Sequence, residues 1–474
     1  MKTLEQIAAE LQGYDPKALG AAQVNEFLAR LVEPVTDVED VGIFQSLGRV
    51  LARDVVSPLS VPPHDNSAMD GYAFDGAALQ PDAPLALTVV GTALAGKAWQ
   101  GRVGPGECVK IMTGAIMPAR LDTVVPQEFT RVEGNTVHIP AGVLQRGDNR
   151  RLLGEDLMAG RPALAAGSRI GPAACGLLAS LGVATVPVLR RLRVAYFSTG
   201  DEILSTGEAP REGAVYDSNR YTVFGLLTRL GVEVLDLGVV RDEPALLEAA
   251  FTRAAREADA IITSGGVSVG EADFTKTMMK QLGDVAFWRI AMRPGRPMAV
   301  GRISAMKLAD TQREKVVFSS DFGSKAAIPN PDRFAAGPPQ GETAPLGGSE
   351  PHAVGSVGAI LFGLPGNPVA VMVTFLAFVR PALLRMMGCT ACAQPLLKAH
   401  SQEALRKKPG RTEYQRGIVS TAADGTLQVR TTGNQGSGVL RSMVEANGLI
   451  VLHHDQGNVA VGDVVDVMMF DGMV

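Results

Sequence analysis

The sequence predicts a multidomain α/β plus β protein. The parts are a central three-layer α/β/α domain with a mostly parallel sheet, an inserted β-rich domain, a discontinuous helical and linker domain, and a C-terminal β-barrel. Three observations carry this reading. Between Leu192 and Met387 one pattern recurs: apolar run, small-residue loop, helix. Residues 85–140 hold glycines and β-branched runs without a sustained helical period, and after Leu396 the chain turns β-like again. At 474 residues the chain is too long for one core, and domains of about 100–200 residues imply three or four.

The central pattern appears in three segments. Arg193–Phe197 reads as a buried strand running into Ser198-Thr-Gly-Asp-Glu202. Ala258–Thr263 opens into Ser264-Gly-Gly-Val-Ser268-Val-Gly-Glu-Ala-Asp273, and Ala359–Phe362 leads into Gly363-Leu-Pro365-Gly-Asn-Pro368 and a long apolar helix. Short apolar runs alternating with helical patterns indicate βαβ units, whose ligands sit beyond the carboxyl ends of the strands. Three loops distant in sequence are therefore expected at one sheet edge.

In chain order, residues 22–33 read as a first helix and Val41–Ala52 as mixed structure. Val61–Phe74, with two prolines at its start and the turn pair Asp70-Gly71, reads as an ordered loop entering a strand. Gly171-Pro172 opens a short helix that Gly182 ends. If residues 150–190 return to pack on the early segment, the β-rich domain is an insertion. The expected boundaries are then 1–60 with 150–190, 61–149, 191–390 and 391–474. Asn219 and Asp242 are the expected N-caps of two central helices, and Asn367-Pro368 starts a third, which Pro381 should bend and Gly388 ends. The tail, with an Asp424-Gly425 hairpin signal, reads as a small barrel or sandwich. Residues 305–357, rich in Pro, Gly, Ser and charge, are expected to be a flexible surface insertion.

Composition excludes several classes. Hydrophobic content of 46% and charged content of 20% describe ordinary globular material, and a net charge of −4 argues against nucleic acid as a main partner. Four cysteines make no disulfide scaffold, which suits a reducing compartment. Cys389-Thr-Ala-Cys392 has CxxC spacing but stands alone, and reads as structurally incidental. The N-terminus has acidic residues where a signal peptide has its apolar core, and Val369–Val379 is stopped by Arg380-Pro381 short of a bilayer's width. A cytoplasmic location with no membrane partner follows.

Asp201, Glu202, Asp242 and Asp273 all fall just after predicted strands. Clustered hard oxygens suit Mg²⁺ bridged to substrate phosphates, although singly each carboxylate also reads as a cap or a solvated turn. The loop Ser264-Gly265-Gly266-Val-Ser268 could cradle phosphate through bare amides, but it has neither GxGxxG spacing nor a Walker lysine. Between Trp288 and Pro297 lie Arg289, Arg293 and Arg296, fixed forks that favour oxyanions such as phosphate or molybdate; the bland reading is a set of solvated charges.

These segments, with Asn66-Ser-Ala-Met-Asp-Gly-Tyr-Ala73, Met112-Thr-Gly-Ala115, Gly154-Glu-Asp156, Met292-Arg-Pro-Gly-Arg-Pro297 and Leu364-Pro-Gly-Asn-Pro368, resemble the signature set of the molybdopterin molybdenumtransferases, the family of the gephyrin E domain. The resemblance runs in order over roughly residues 22–474. It implies an elongated four-domain homodimer that inserts molybdenum from molybdate into adenylylated molybdopterin, using Mg²⁺ and releasing AMP. In the family the α/β domain of one subunit faces the early domains of the other. By position it implies functional roles for Asp70, Thr113, Asp156, Glu202, Asp242 and Asp273, with Glu202 and Asp242 holding the metal. Ser264, Gly265, Gly266, Ser268, Arg289, Arg293, Pro365, Pro368, Arg416 and Ser437 are the implied substrate-binding set. Where the family often has Lys, this chain has Arg289 and Arg293; the first 21 residues extend beyond the usual start. Expected partners are a molybdopterin adenylyltransferase and apo-molybdoenzymes. Two competing readings are adenylyl transfer from ATP and a dimeric scaffold of gephyrin type.

Overall fold

A computed structural model describes residues 2–267, 274–304 and 358–470. The expected insertion at 305–357 and two expected site residues, Ser268 and Asp273, lie outside the described residues. Two compact units are present: Thr36–Leu189, and Met1–Val35 together with Arg190–Val474.

In the smaller unit the strand Val38–Gly42 pairs antiparallel with Thr185–Leu189, and Val55–Val56 with Pro162–Leu164. The chain thus makes the return that the sequence left conditional. Leu51, Val55, Ile170, Leu178, Val186 and Val188 form the core beneath it. Between these segments a six-stranded sheet runs in the spatial order Thr123–Pro126, Gly71–Phe74, Glu107–Ile111, Leu85–Ala93, Thr136–Ile139, Arg131–Glu133. Strand alternation sends Ala73, Val109 and Val124 to one cluster and Tyr72, Phe74, Cys108 and Val125 to another, so both faces bury apolar surface. At Gly71 a Cβ would meet the Val125 carbonyl oxygen at 1.9 Å; close strand approach is why this position has no side chain.

The larger unit is built on a second six-stranded sheet, in the order Glu233–Val240, Arg193–Thr199, Ala260–Ser264, Ala359–Leu364, Pro297–Ile303, Gly283–Arg289. The first four strands are parallel; Pro297–Ile303 runs antiparallel to them, and Gly283–Arg289 pairs antiparallel with it in turn. Helices Pro244–Glu257 and Phe274–Leu282 bury Leu247, Phe251, Met278 and Met279 against Ala195, Phe197, Ile261 and Leu361. Ser218–Leu230 and Pro368–Thr374 pack with each other and the sheet, completing the three layers. Phe197 and Phe251 meet edge to face at 5.0 Å.

Several local expectations change. Asp217, not Asn219, caps the helix Ser218–Leu230, its carboxylate accepting the Arg220 N–H at 3.0 Å. Asp242 lies one residue before the N-cap position, which Glu243 occupies without a side-chain bond. The helix beginning at Pro368 runs on past Arg380-Pro381, as expected. A π-type turn at Phe375–Val379 lets Arg380 N–H donate to the Phe375 carbonyl, accommodating the ring, and the helix continues to Met386. At 19 residues and mean hydropathy 1.8 it has the length and apolarity to cross a membrane, the one such helix among the described residues. With 78% of its window buried inside the unit, it is a core helix here.

Residues 1–35, which the sequence grouped with the linker segments, instead pack with the α/β elements. Val24, Phe27, Leu28 and Leu31 of the helix Ala21–Leu31 are buried, and Val35 N–H donates to the Met386 carbonyl at 2.8 Å. After Leu396 five strands close on themselves in the order Thr412–Thr421, Leu427–Thr431, Leu397–Ser401, Val464–Met469, Gly448–Leu452 and back to Thr412–Thr421. Val429, Ile450, Leu452, Val465 and Val467 fill this barrel.

Candidate active site

The parallel strands end side by side, and the chain leaves Arg193–Thr199 first to one neighbour and then to the other. That reversal opens a crevice between the loops. The loops are tied together: Asp242 N–H donates to Asp201 Oδ1 at 3.3 Å, Asn219 Nδ2 to the Gly366 carbonyl at 2.7 Å, and Gly265 N–H to the Leu364 carbonyl at 3.3 Å. Gly265 and Gly266 have φ of +98° and +62°, and a Cβ there would meet the Thr199 carbonyl oxygen and the Thr275 side chain, each at 2.5 Å. Only glycine suits both the conformation and the space.

A cavity of about 680 Å³ opens at this edge. Glu202, Gly265, Gly266, Pro365, Gly366 and Asn367 line it from the sheet loops, Arg293 and Arg296 from the basic segment, and Gln435 and Ser437 from a barrel loop. Both guanidinium groups are exposed, and among the described residues neither has an ion-pair partner. Asn367 Nδ2 donates to Ser437 Oγ at 3.2 Å, joining the barrel loop to the sheet loop. Beneath that loop Arg416 is 1% exposed; it donates from Nε to Ser442 Oγ at 3.0 Å and from Nη2 to the carbonyls of Asn434 and Gly436 at 3.2 and 3.0 Å. Burial, and then the nearby Arg293 charge, push its guanidinium down to about 10, so it stays charged at neutral pH. Two like charges held close make this end of the cavity electropositive, and an anion would relieve them.

Several expected site residues stand behind the cavity wall. Ser264 is buried, sharing hydrogen bonds with the Tyr196 hydroxyl at 2.7 Å and Ser198 Oγ at 3.2 Å. Burial raises the Tyr196 phenol further above its ordinary value, so this hydroxyl knot stays neutral and ties adjacent strand ends. Asp242 accepts from Thr275 Oγ1 at 3.3 Å. Pro368 is the first residue of its helix, and Arg289, Pro368, Asp242, Ser264 and Arg416 are not among the residues lining this cavity. Conversely, Arg296, Asn367 and Gln435 line it and were absent from the implied substrate-binding set. Arg296 carried the same signal as Arg293, and Asn367 stood in the Leu364–Pro368 motif; Gln435 offered no signal beyond lying in a glycine-containing loop.

Asp70, Thr113 and Asp156 belong to the other compact unit. There Asp70 Oδ1 accepts from Thr113 N–H at 2.7 Å and from Thr113 Oγ1 at 2.8 Å. The backbone bond first, then the hydroxyl bond, hold its carboxyl below the usual carboxylate range. Asp156 is exposed, its N–H donating to the Val61 carbonyl at 3.1 Å.

No group of three His, Cys, Asp or Glu is placed to hold a metal among the described residues. Mg²⁺ needs less, since it keeps waters and takes one or two carboxylates with substrate phosphates. Glu202 supplies one such carboxylate at the cavity wall, whereas Asp242 stands on the adjoining loop outside the lining. A larger cavity of about 900 Å³ lies between the helix Ala21–Leu31, the helix around Pro381 and the barrel. It shares none of its lining residues with the strand-end cavity, where the glycine loop and the two arginines meet.

Comparison with known proteins agrees with this architecture. Family models described as MoeA N-terminal region (domain I and II), probable molybdopterin binding domain, and MoeA C-terminal region (domain IV) match residues 21–182, 195–385 and 398–470. A protein of Haemophilus influenzae named molybdopterin molybdenumtransferase is 35% identical over 440 residues, covering 93% of this chain and 95% of its own. One of the same name from Bacillus subtilis is 30% identical over 444 residues, covering 91% and 90%. In fold alone, the crystal structure of a molybdopterin biosynthesis moeA protein from Pyrococcus horikoshii OT3 is similar, with a TM-score of 0.71 at 23% identity over 96% of this chain and 100% of that one. Matching models across all three regions and relatives aligned over nearly the whole length establish that the chain belongs to the molybdopterin molybdenumtransferase family, enzymes of molybdenum cofactor biosynthesis.

Proposed function

We propose that the chain takes molybdate and adenylylated molybdopterin, inserts molybdenum into the dithiolene, and releases AMP in a Mg²⁺-dependent reaction. The observation that carries this reading is the cavity in which Arg293 and Arg296, without ion-pair partners among the described residues, share a wall with Gly265, Gly266 and Glu202. Cleaving a phosphoanhydride calls for positioning and charge neutralisation more than covalent help. The guanidinium forks hold oxyanions, the amide at Gly266 receives a phosphate oxygen, and Ser437 Oγ offers a further polar contact. Glu202 and Asp242 would hold Mg²⁺, which when bound neutralises charge on the pyrophosphate. Asp70, Thr113, Asp156 and Asp273 keep the functional roles, and Ser268 the substrate-binding role, that their motif positions imply.

The same reading makes the chain a cytoplasmic homodimer that meets a molybdopterin adenylyltransferase and apo-molybdoenzymes. The test is incubation with adenylylated molybdopterin, molybdate and Mg²⁺, following AMP and reconstitution of an apo-molybdoenzyme. AMP release with reconstitution supports molybdenum insertion; ATP consumption without molybdate would favour adenylyl transfer instead. Asp242→Ala should abolish AMP release in a folded protein, and normal turnover would remove Asp242 from the metal site.

A further inference from the structure

The strand Gly283–Arg289 is the last of its sheet, and an outermost strand leaves a row of backbone groups without strand partners. Residues 2–19 cover it. Leu4, Ile7 and Leu11 are buried, Leu4 N–H donates to Asp284 Oδ2 at 3.3 Å, and Arg302 Nη1 donates to the Lys2 carbonyl at 2.6 Å. Farther along, Trp288 Nε1 donates to the Tyr14 hydroxyl at 3.0 Å. Phe27 stacks with Tyr14 at 6.0 Å and meets Trp288 edge-on at 4.8 Å.

The pairing then becomes continuous. Arg289 N–H donates to the Pro16 carbonyl at 2.8 Å, Leu19 N–H to the Arg289 carbonyl at 3.2 Å, and Ala291 N–H to the Leu19 carbonyl at 2.8 Å. On its other side the same segment meets the barrel: Thr412 N–H donates to the Ala291 carbonyl at 2.9 Å, and Met292–Arg293 pairs with Thr412–Glu413. Backbone that leads into Arg293 and Arg296 is thus clamped from both sides. Because neither guanidinium has an ion-pair partner among the described residues, backbone placement decides where these charges stand.

We propose that residues 2–19 form a strap that positions Arg293 and Arg296 in the oxyanion cavity, with Leu19 and Tyr14 as its positioning residues. The strap rests on reading that cavity as the molybdate and phosphate site. It supplies neither a substrate contact nor a proton; it sets the register of the basic segment.

The test uses the full chain with Leu19→Pro, which removes the N–H that donates to Arg289, beside Leu19→Ile, which keeps it. AMP release is measured against molybdate concentration, with thermal unfolding in parallel. An ångström-scale displacement of binding groups is costly, so Leu19→Pro should raise the KM for molybdate about tenfold and leave kcat within about twofold, while Leu19→Ile behaves as wild type. Should Leu19→Pro fail to fold, Tyr14→Phe, which strips only the acceptor of Trp288, is expected to raise KM about threefold. A lower melting temperature with unchanged KM overturns the strap's role. Arg296→Ala separates the two ideas: if it too leaves KM unchanged, the oxyanion reading fails, whereas a raised KM in Arg296→Ala alone leaves that reading standing and overturns only the strap.

Discussion

Arg293 and Arg296 stand in the cavity wall with open guanidinium groups, whereas Arg416 is buried and spends its donors on a loop. The same residue type therefore has two different jobs at one end of the cavity. A charge-assisted hydrogen bond contributes about 1.5–3 kcal/mol, so Arg296→Ala should raise the KM for molybdate roughly 10- to 100-fold in the AMP-release assay. Asp70 gives a residue-scale prediction of another kind. Its carboxyl is depressed by the Thr113 backbone N–H and then by the Thr113 hydroxyl, so Thr113→Val should move its pKa upward, read by NMR titration of the carboxyl carbon. The sign for stability follows. A depressed carboxyl contributes above its unfolded pKa and loses that contribution as pH falls through the folded one, and the valine variant should lose it at higher pH.

Loops, more than single side chains, make the site at the scale of elements. Asn219, on the first turn of its helix, holds the Gly366 carbonyl, while Asn367 of the same loop holds Ser437 of the barrel. Asn219→Ala should cost about 1 kcal/mol in urea unfolding, since the exposed Gly366 carbonyl can recover water, and should slow turnover more than that loss explains. Arg416 secures the barrel side through two carbonyls and a hydroxyl. Its replacement by Lys keeps the charge but not the fork, so kcat/KM is expected to drop at least about tenfold and Lys should not rescue. A lysine variant with wild-type turnover would reduce Arg416 to a plain buried cation.

For the whole molecule, two compact units and three matched regions account for the chain from the early helix to the barrel. The proposed homodimer has a direct measure: light scattering should give twice the 49.8 kDa of the chain, and a single-chain mass at micromolar concentration would remove it. Its mass does not depend on the catalytic reading, so the two proposals stand or fall separately.

Periodicity and punctuation made the strand-loop-helix repeats, the Gly171-Pro172 helix start and the β-rich segments legible without coordinates, because those signals lie within a few residues of one another. The motif set placed the strand-end loops on one edge for the same reason. Which cap serves which helix was not legible: Asp217 and Asn219 are both good candidates, and only the Gly366 carbonyl, 147 positions away, draws Asn219 aside. Nor could local pattern tell that Ser264 would turn to Tyr196 and Ser198, that Arg416 would be buried, or that residues 2–19 would lie along an edge strand some 270 positions downstream. Short-range sterics and hydrophobic spacing wrote the elements into the sequence. Contacts between segments far apart in the chain chose which polar groups face the cavity, because such groups satisfy whichever partner packing delivers.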